Sequence, residues 1–181
     1  MNAGRIVIIT GCPGTGKTTA AAGAAEHSAL ALSVHMHTDD FYGFLRKGAV
    51  APHLPESDAQ NRVVVEAFLQ AAARFAAGGY DVMVDGVVGP WFLEPWLRLA
   101  RQGCEVHYIV LRASLPETRR RALGRAKLTA EGNLSLVDVM WPQFADLGAY
   151  ESHVIRTDGQ SPEETLRAVL AMIASGTARL A

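Results

Sequence analysis

Several features are scarce in this 181-residue sequence. Cysteine occurs only at Cys12 and Cys104, too few for a disulfide framework, so a reducing, cytoplasmic setting is expected. Neither charge dominates. The 17 Lys+Arg against 18 Asp+Glu leave a formal net charge of −1, which gives no bulk attraction to nucleic acid or an anionic membrane. Any anion site must therefore be local, and neither partner is expected. No apolar run approaches the roughly 18–20 residues of a membrane-spanning helix. The first ten residues lack a basic stretch ahead of a long apolar run and a small-residue cleavage site, so no signal peptide is expected. There is no internal repeat and no low-complexity linker. What is present, 49% apolar residues over a length suited to one domain, is enough for a real core.

Five short runs read as strands: residues 5–10, 32–37, 80–85, 105–112 and 153–156. The first, third and fourth are nearly continuous in Ile, Val, Met and Leu, as in strands buried on both faces of a parallel sheet. Helical stretches lie between them, at about 17–26, 59–77, 93–102, 115–127, 136–147 and 162–175. Ser114 with Glu117 and Ser161 with Glu164 have capping-box spacing, and Pro162 suits a first helical position. Ser135 with Asp138 is a weaker version. Residues 43–57 read as a long loop of the kind that covers binding sites. The alternation implies an α/β three-layer sandwich with right-handed crossovers.

The most informative segment is Gly11-Cys12-Pro13-Gly14-Thr15-Gly16-Lys17-Thr18, which fits G-x-x-x-x-G-K-[ST] between an apolar strand and an alanine-rich helix. Glycines let the backbone curl so that successive N–H groups face one anion, and the helix adds its positive end. Lys17 reaches the β- and γ-phosphates, and the Thr18 hydroxyl ligates Mg²⁺. Thr19 is grouped with the loop. The segment reads as a nucleoside triphosphate site.

Ligands in open α/β sheets sit beyond the carboxyl ends of the strands, where two acidic groups fall. Asp85 ends the third strand and suits Mg²⁺. Asp39 and Asp40 follow the second, and a carboxylate there can take a proton from a substrate hydroxyl, Asp39 ahead of Asp40. His35-x-His37-x-Asp39 resembles the two-histidine strand of barrel metallohydrolases, but such a barrel needs about 250 residues. The histidines therefore read as one face of an interior strand. Arg119, Arg120, Arg121, Arg125 and Lys127 form the densest basic stretch. It reads either as a solvated helix face or as a source of an arginine for the transferring phosphoryl group. The following 129–133 looks like a hinge.

With these residues placed, the whole chain resembles the small P-loop kinases, the group of shikimate and gluconate kinases, chloramphenicol phosphotransferase and nucleoside or nucleotide kinases. The resemblance implies a five-stranded parallel sheet of order 2-3-1-4-5, the P-loop NTPase fold, in one domain with a small lid over about 119–134. Asp39-Asp40-Phe41-Tyr42 is similar to the Asp-x-Phe-Tyr of uridine kinases, which implies Asp39 as base. Glu117 to Arg121 is similar to the start of the shikimate kinase lid, which implies Arg121 against adenine and Arg125 near the phosphates. The segment Thr157-Asp158-Gly159-Gln160-Ser161-Pro162 resembles the loop closing the other side of adenine, which implies Gln160 and Pro162. Shikimate kinases carry Asp-x-Asp and a triple glycine where this chain has Asp39-Asp40 and Gly86-Val87-Val88-Gly89-Pro90, so shikimate is not the expected acceptor.

Residues and resemblance together lead to an ATP- and Mg²⁺-dependent phosphotransferase acting on a small-molecule hydroxyl. Lys17, Asp39 and Arg125 are its catalytic candidates, and Thr18 and Asp85 its metal candidates. The acceptor pocket is expected to include Asp39, Asp40, Tyr42, Gly86 and Trp91, with Gln60 and Asn61 as polar contributors and Trp96 and Trp141 as further walls. A kinase of nucleotide or nucleic-acid ends and a regulatory ATPase are the alternatives.

Overall fold

The computed structural model describes residues 4–52, 54–124 and 129–181. The apolar runs form β1 (Arg5–Thr10), β2 (Ser33–His37), β3 (Asp81–Asp85), β4 (Glu105–Arg112) and β5 (Val154–Arg156). They pair in parallel as one sheet in the order β2-β3-β1-β4-β5. Side chains alternate across the pleat. Ile6, Ile8, Val82, Val84, Val106, Tyr108 and Val110 join one apolar cluster, while Val7, Ile9, Met83, Ile109 and Leu111 join a second. Burial on both faces is why these strands read as continuous rather than alternating.

Helices α1 (Lys17–Glu26) and α7 (Pro162–Ser175) cover the second face. Alanines Ala20, Ala21 and Ala24 bring α1 close to the sheet. The six-residue α2 (Thr38–Gly43) follows β2 directly, and α3 (Asp58–Ala77) and α4 (Glu94–Arg101) cover the first face through Phe68, Leu69 and Trp96. The structure then continues through α5 (Leu115–Leu123) and α6 (Ala130–Met140). The expected long loop is thus shortened at its start by α2 and at its end by a 3₁₀ turn over Pro55–Ser57.

Five local expectations are corrected. Ser161 and Glu164 do form a reciprocal capping box, but Ser114 and Glu117 do not. Asp158 accepts from the Ser114 N–H at 2.9 Å, and Glu117 is drawn to Arg120 and Arg121 instead. The helix expected over 136–147 starts six residues earlier, capped by Thr129 Oγ1 accepting from Gly132 N–H, and Pro142 turns its end into 3₁₀ geometry. The supposed hinge at 129–133 is therefore the first turn of α6, and Asp138 serves not as part of a cap but as the partner of Arg119 at 2.8 Å. Lastly, β2 is an edge strand, so its histidines lie at the margin of the sheet.

The end of β4 is tied down by Arg112, which forks onto Glu151 at 2.9 and 2.6 Å. That guanidinium, together with the Leu147 N–H, holds the Glu151 carboxyl at about 2, down from 4.5. A depressed carboxylate contributes stability above its unfolded value and loses it as pH falls toward its folded one. Thermal melts of wild type and Glu151→Gln should therefore differ near neutrality and converge as pH drops from about 5 to about 2.

Candidate active site

The loop between β1 and α1 curls around one carbonyl. Thr15 Oγ1, Thr15 N–H and Lys17 Nζ all donate to Cys12 O, at 2.9, 3.3 and 3.1 Å. Gly11, Gly14 and Gly16 take φ of 139°, 90° and 92°, in the left-handed region that side-chain-bearing residues avoid. At Gly11 a Cβ would also strike Leu111 O of β4, so no other residue fits there. Gly16 gives α1 no side-chain cap, and the first turn of α1 holds no acidic residue. The positive end of the helix therefore opens onto the glycine cradle, which suits a phosphate chain. Cys12 and Pro13 are buried beneath it, whereas Thr18 and Thr19 are exposed.

Asp85 lies at the carboxyl end of β3 and is fully buried. Its Oδ2 accepts from Thr18 Oγ1 at 2.6 Å and lies 3.0 Å from His37 Nδ1, while its Oδ1 lies 2.6 Å from His35 Nε2. Burial alone would raise its pKa; hydrogen bonds from His35 and Thr18, with the charge of the two imidazoles, hold it below the ordinary value. The histidines are two apart on β2 and so share a side of the strand, the one that faces Asp85. His37 Nε2 also reaches Asp39 Oδ2 at 3.4 Å. Thr18, Asp85, His37 and Asp39 thus form one line of polar contacts. Gly86 follows Asp85, and a Cβ on it would collide with the Thr38 side chain, so glycine lets the start of α2 pack against the end of β3 at this point. Among the described residues no group of three or more His, Cys, Asp or Glu is arranged to hold a metal by itself.

On one side of the loop is a cavity of about 430 Å³, lined by Gly14, Gly16, Thr19, Arg121, Gln160 and Pro162 among others. Arg121 is held rigidly. It donates to Glu117 at 2.6 Å, Thr157 Oγ1 at 3.1 Å and Thr157 O at 2.7 Å. Gln160 is turned by its bond from Thr165 Oγ1 at 3.0 Å. Arg119 and Arg120 pair with Asp138 and Glu117 on the helix surface. Arg125 and Lys127 lie outside the described residues.

A second cavity of about 400 Å³ contains Asp39, Tyr42 and Trp91 in its wall. Phe41 seats α2 on α3 by packing edge-on against Phe68 at 4.9 Å, which turns Asp39 toward this space. Burial pushes the Tyr42 phenol up, and the nearby Asp39 charge adds to that. Asp40 is exposed and not part of the lining, and at Gly86 the wall is formed by the next residues, Val87 and Val88. Of the expected polar contributors, Asn61 lines the cavity, whereas Gln60 is spent bridging Val50 N–H and O at 2.8 Å each. Trp96 lines it too, but Trp141 donates to Ala113 O at 2.9 Å elsewhere. The sequence reading missed His35 and His37 as partners of Asp85, although their alternation beside an acidic strand end was the available signal. It also missed Val64, Val65 and Val139, whose periodic apolar pattern says only that their helices bury a face.

Residues 7–135, some seven-tenths of the chain, match the family described as AAA domain. The chain belongs to that family. Its fold is that of the small P-loop kinases, as the strand order and three solved structures agree. The APS kinase of Mycobacterium tuberculosis, solved with AMPPNP and APS, superposes with a TM-score of 0.70 at 17% identity, covering 96% of this chain and 99% of that one. A sugar kinase from Janibacter sp. HTCC2649 does so at 0.63 and 20% identity, covering 94% and 95%. A gluconokinase from Sinorhizobium meliloti 1021 does so at 0.61 and 19% identity, covering 96% and 93%. No curated protein sequence matches the chain. Among the described residues no helix is long and apolar enough to cross a membrane.

Proposed function

We propose that the chain is an ATP-dependent phosphotransferase that moves the γ-phosphoryl group to a hydroxyl of a small molecule. The supporting observation is the line Thr18–Asp85–His37–Asp39, which runs from the phosphate loop to the wall of the second cavity. Simple hydrolysis has no need of a second cavity joined to the loop by such a line, whereas transfer needs a place for the acceptor. The glycine cradle and the open end of α1 fit a triphosphate, with Lys17 on its outer phosphates and the adenine between Arg121 and the Gln160–Pro162 turn.

Thr18 and Asp85 would hold Mg²⁺, which when bound neutralises charge developing on the phosphates. Asp39 takes the proton of the acceptor hydroxyl as that oxygen bonds to the γ-phosphorus and the bond to ADP breaks. His37, held by Asp85, orients Asp39. The two imidazoles also stop Asp85 from turning away from Thr18, so the metal-side carboxylate stands ready before any nucleotide arrives.

The test is ADP release from ATP and Mg²⁺ across a panel of sugars, nucleosides, hydroxy acids and aminoglycoside-like alcohols. At least one alcohol should stimulate release and carry phosphate afterwards, and Lys17→Ala should lower that rate by about 10²–10³-fold. ATP hydrolysis that no alcohol accelerates or redirects would remove the proposal.

A further inference from the structure

From the wall of the second cavity we infer the class of acceptor: an uncharged alcohol with an apolar, aromatic-sized body. The inference rests on the reading of this cavity as the acceptor side. Its lining is dominated by Val64, Val65, Phe68, Trp91, Phe92 and Met140, and Asp39 is the single charged side chain among the described lining residues. The polar side chains besides it are those of Thr38, Tyr42, Asn61 and Gln143, against twelve apolar lining residues. Asn61 Nδ2 already donates to Pro52 O and Ser57 Oγ at 2.8 Å each, and Gln143 Nε2 to Val139 O at 3.0 Å.

An anionic acceptor entering this space would lose hydration beside the Asp39 carboxylate, with no lysine or arginine in the described wall to compensate. A sugar-like polyol would strand most of its hydroxyls against hydrocarbon. An alcohol with one end polar and the other apolar meets neither difficulty. Its hydroxyl sits at Asp39 and its body lies between α3 and the 3₁₀ turn over Pro90–Phe92. A volume of about 400 Å³ is in the range of pockets for ligands larger than a simple alcohol.

The test compares 1-phenyl-1,2-ethanediol with mandelate, which has the same ring and a carboxylate in place of the terminal CH₂OH, and with glycerol, which lacks the ring. Binding to the full chain is read by intrinsic fluorescence, since Trp91 and Trp96 both line the cavity. The diol should bind at least about tenfold more tightly than mandelate, and by a similar factor than glycerol, from ring burial. Val65→Lys, which sets a cation into the wall, should narrow the gap between diol and mandelate. Equal or tighter binding of mandelate or glycerol by wild type overturns the inference, as does a fluorescence unmoved by saturating diol. ADP release by the same compounds separates the two claims. Transfer to gluconate without diol binding overturns the acceptor class and leaves the transferase standing. Selective diol binding without transfer to any alcohol leaves the cavity's preference for an uncharged aromatic alcohol standing, but removes both the transferase and the role of that alcohol as acceptor.

Discussion

Asp39→Asn is expected to lower kcat by about 10²–10⁴-fold while leaving ATP affinity close to wild type. The amide matches the carboxylate in shape and can still meet His37, which lies 3.4 Å from Asp39 Oδ2, but it cannot receive the acceptor's proton. The side chain is about half exposed, so the substitution disturbs no core packing. On the proposed reading ATP affinity comes from the glycine backbone of the cradle and the open end of α1, which the substitution leaves unchanged. Kinetics on the first acceptor found, together with a nucleotide titration, separate the two effects. Transfer at the wild-type rate would remove Asp39 as the base.

Asp85→Ala should cost about 1–3 kcal/mol of stability and abolish Mg²⁺-dependent transfer. The carboxylate is fully buried and binds three groups at once, Thr18, His35 and His37. Its removal leaves two imidazoles and a hydroxyl without their buried acceptor, and solvent, which reaches the histidines only in part, replaces it incompletely. Urea unfolding of the variant beside His35→Gln and His37→Gln measures this. Each histidine variant, losing one partner at a margin that solvent reaches, should cost less than Asp85→Ala. A variant as stable as wild type would show that the cluster contributes nothing to the fold.

Both variants act on residues whose positions could be read from the sequence, but whose connections could not. The phosphate loop was legible because its chemistry is local. Gly11, Gly14 and Gly16 serve backbone shapes that few other residues adopt, and Lys17 and Thr18 follow at a spacing the helix start dictates. Asp85 was legible as a strand end, since an acid after Val82-Met83-Val84 must emerge where the sheet stops. The pairing of Asp85 with His35 and His37 was not, because it depends on β2 lying beside β3, with His37 opposite Asp85 in register. Read alone, the histidines looked like one face of an interior strand; at a sheet edge they can turn toward a neighbour's carboxylate.

The helix ends divide in the same way. Ser161 and Glu164 cap their own helix, as nearest neighbours in sequence can. Ser114 and Glu117 have the same spacing, yet Asp158, 44 residues away, accepts from the Ser114 N–H, and Arg120 and Arg121 claim Glu117.

By itself, the sequence determined the layered α/β class, the parallel order implied by its resemblance, and the phosphate cradle. The class and the cradle follow from short-range periodicity and from backbone shapes that only certain residues permit, whereas the order follows from the resemblance alone. Tertiary structure alone decided which acid faces the second cavity, what holds Asp85, and that the cavity wall is apolar. Those outcomes depend on side chains from β2, α2, α3 and α6 meeting across the top of the sheet. No local pattern encodes such a meeting, because the energy that selects it comes from contacts between residues far apart in the chain.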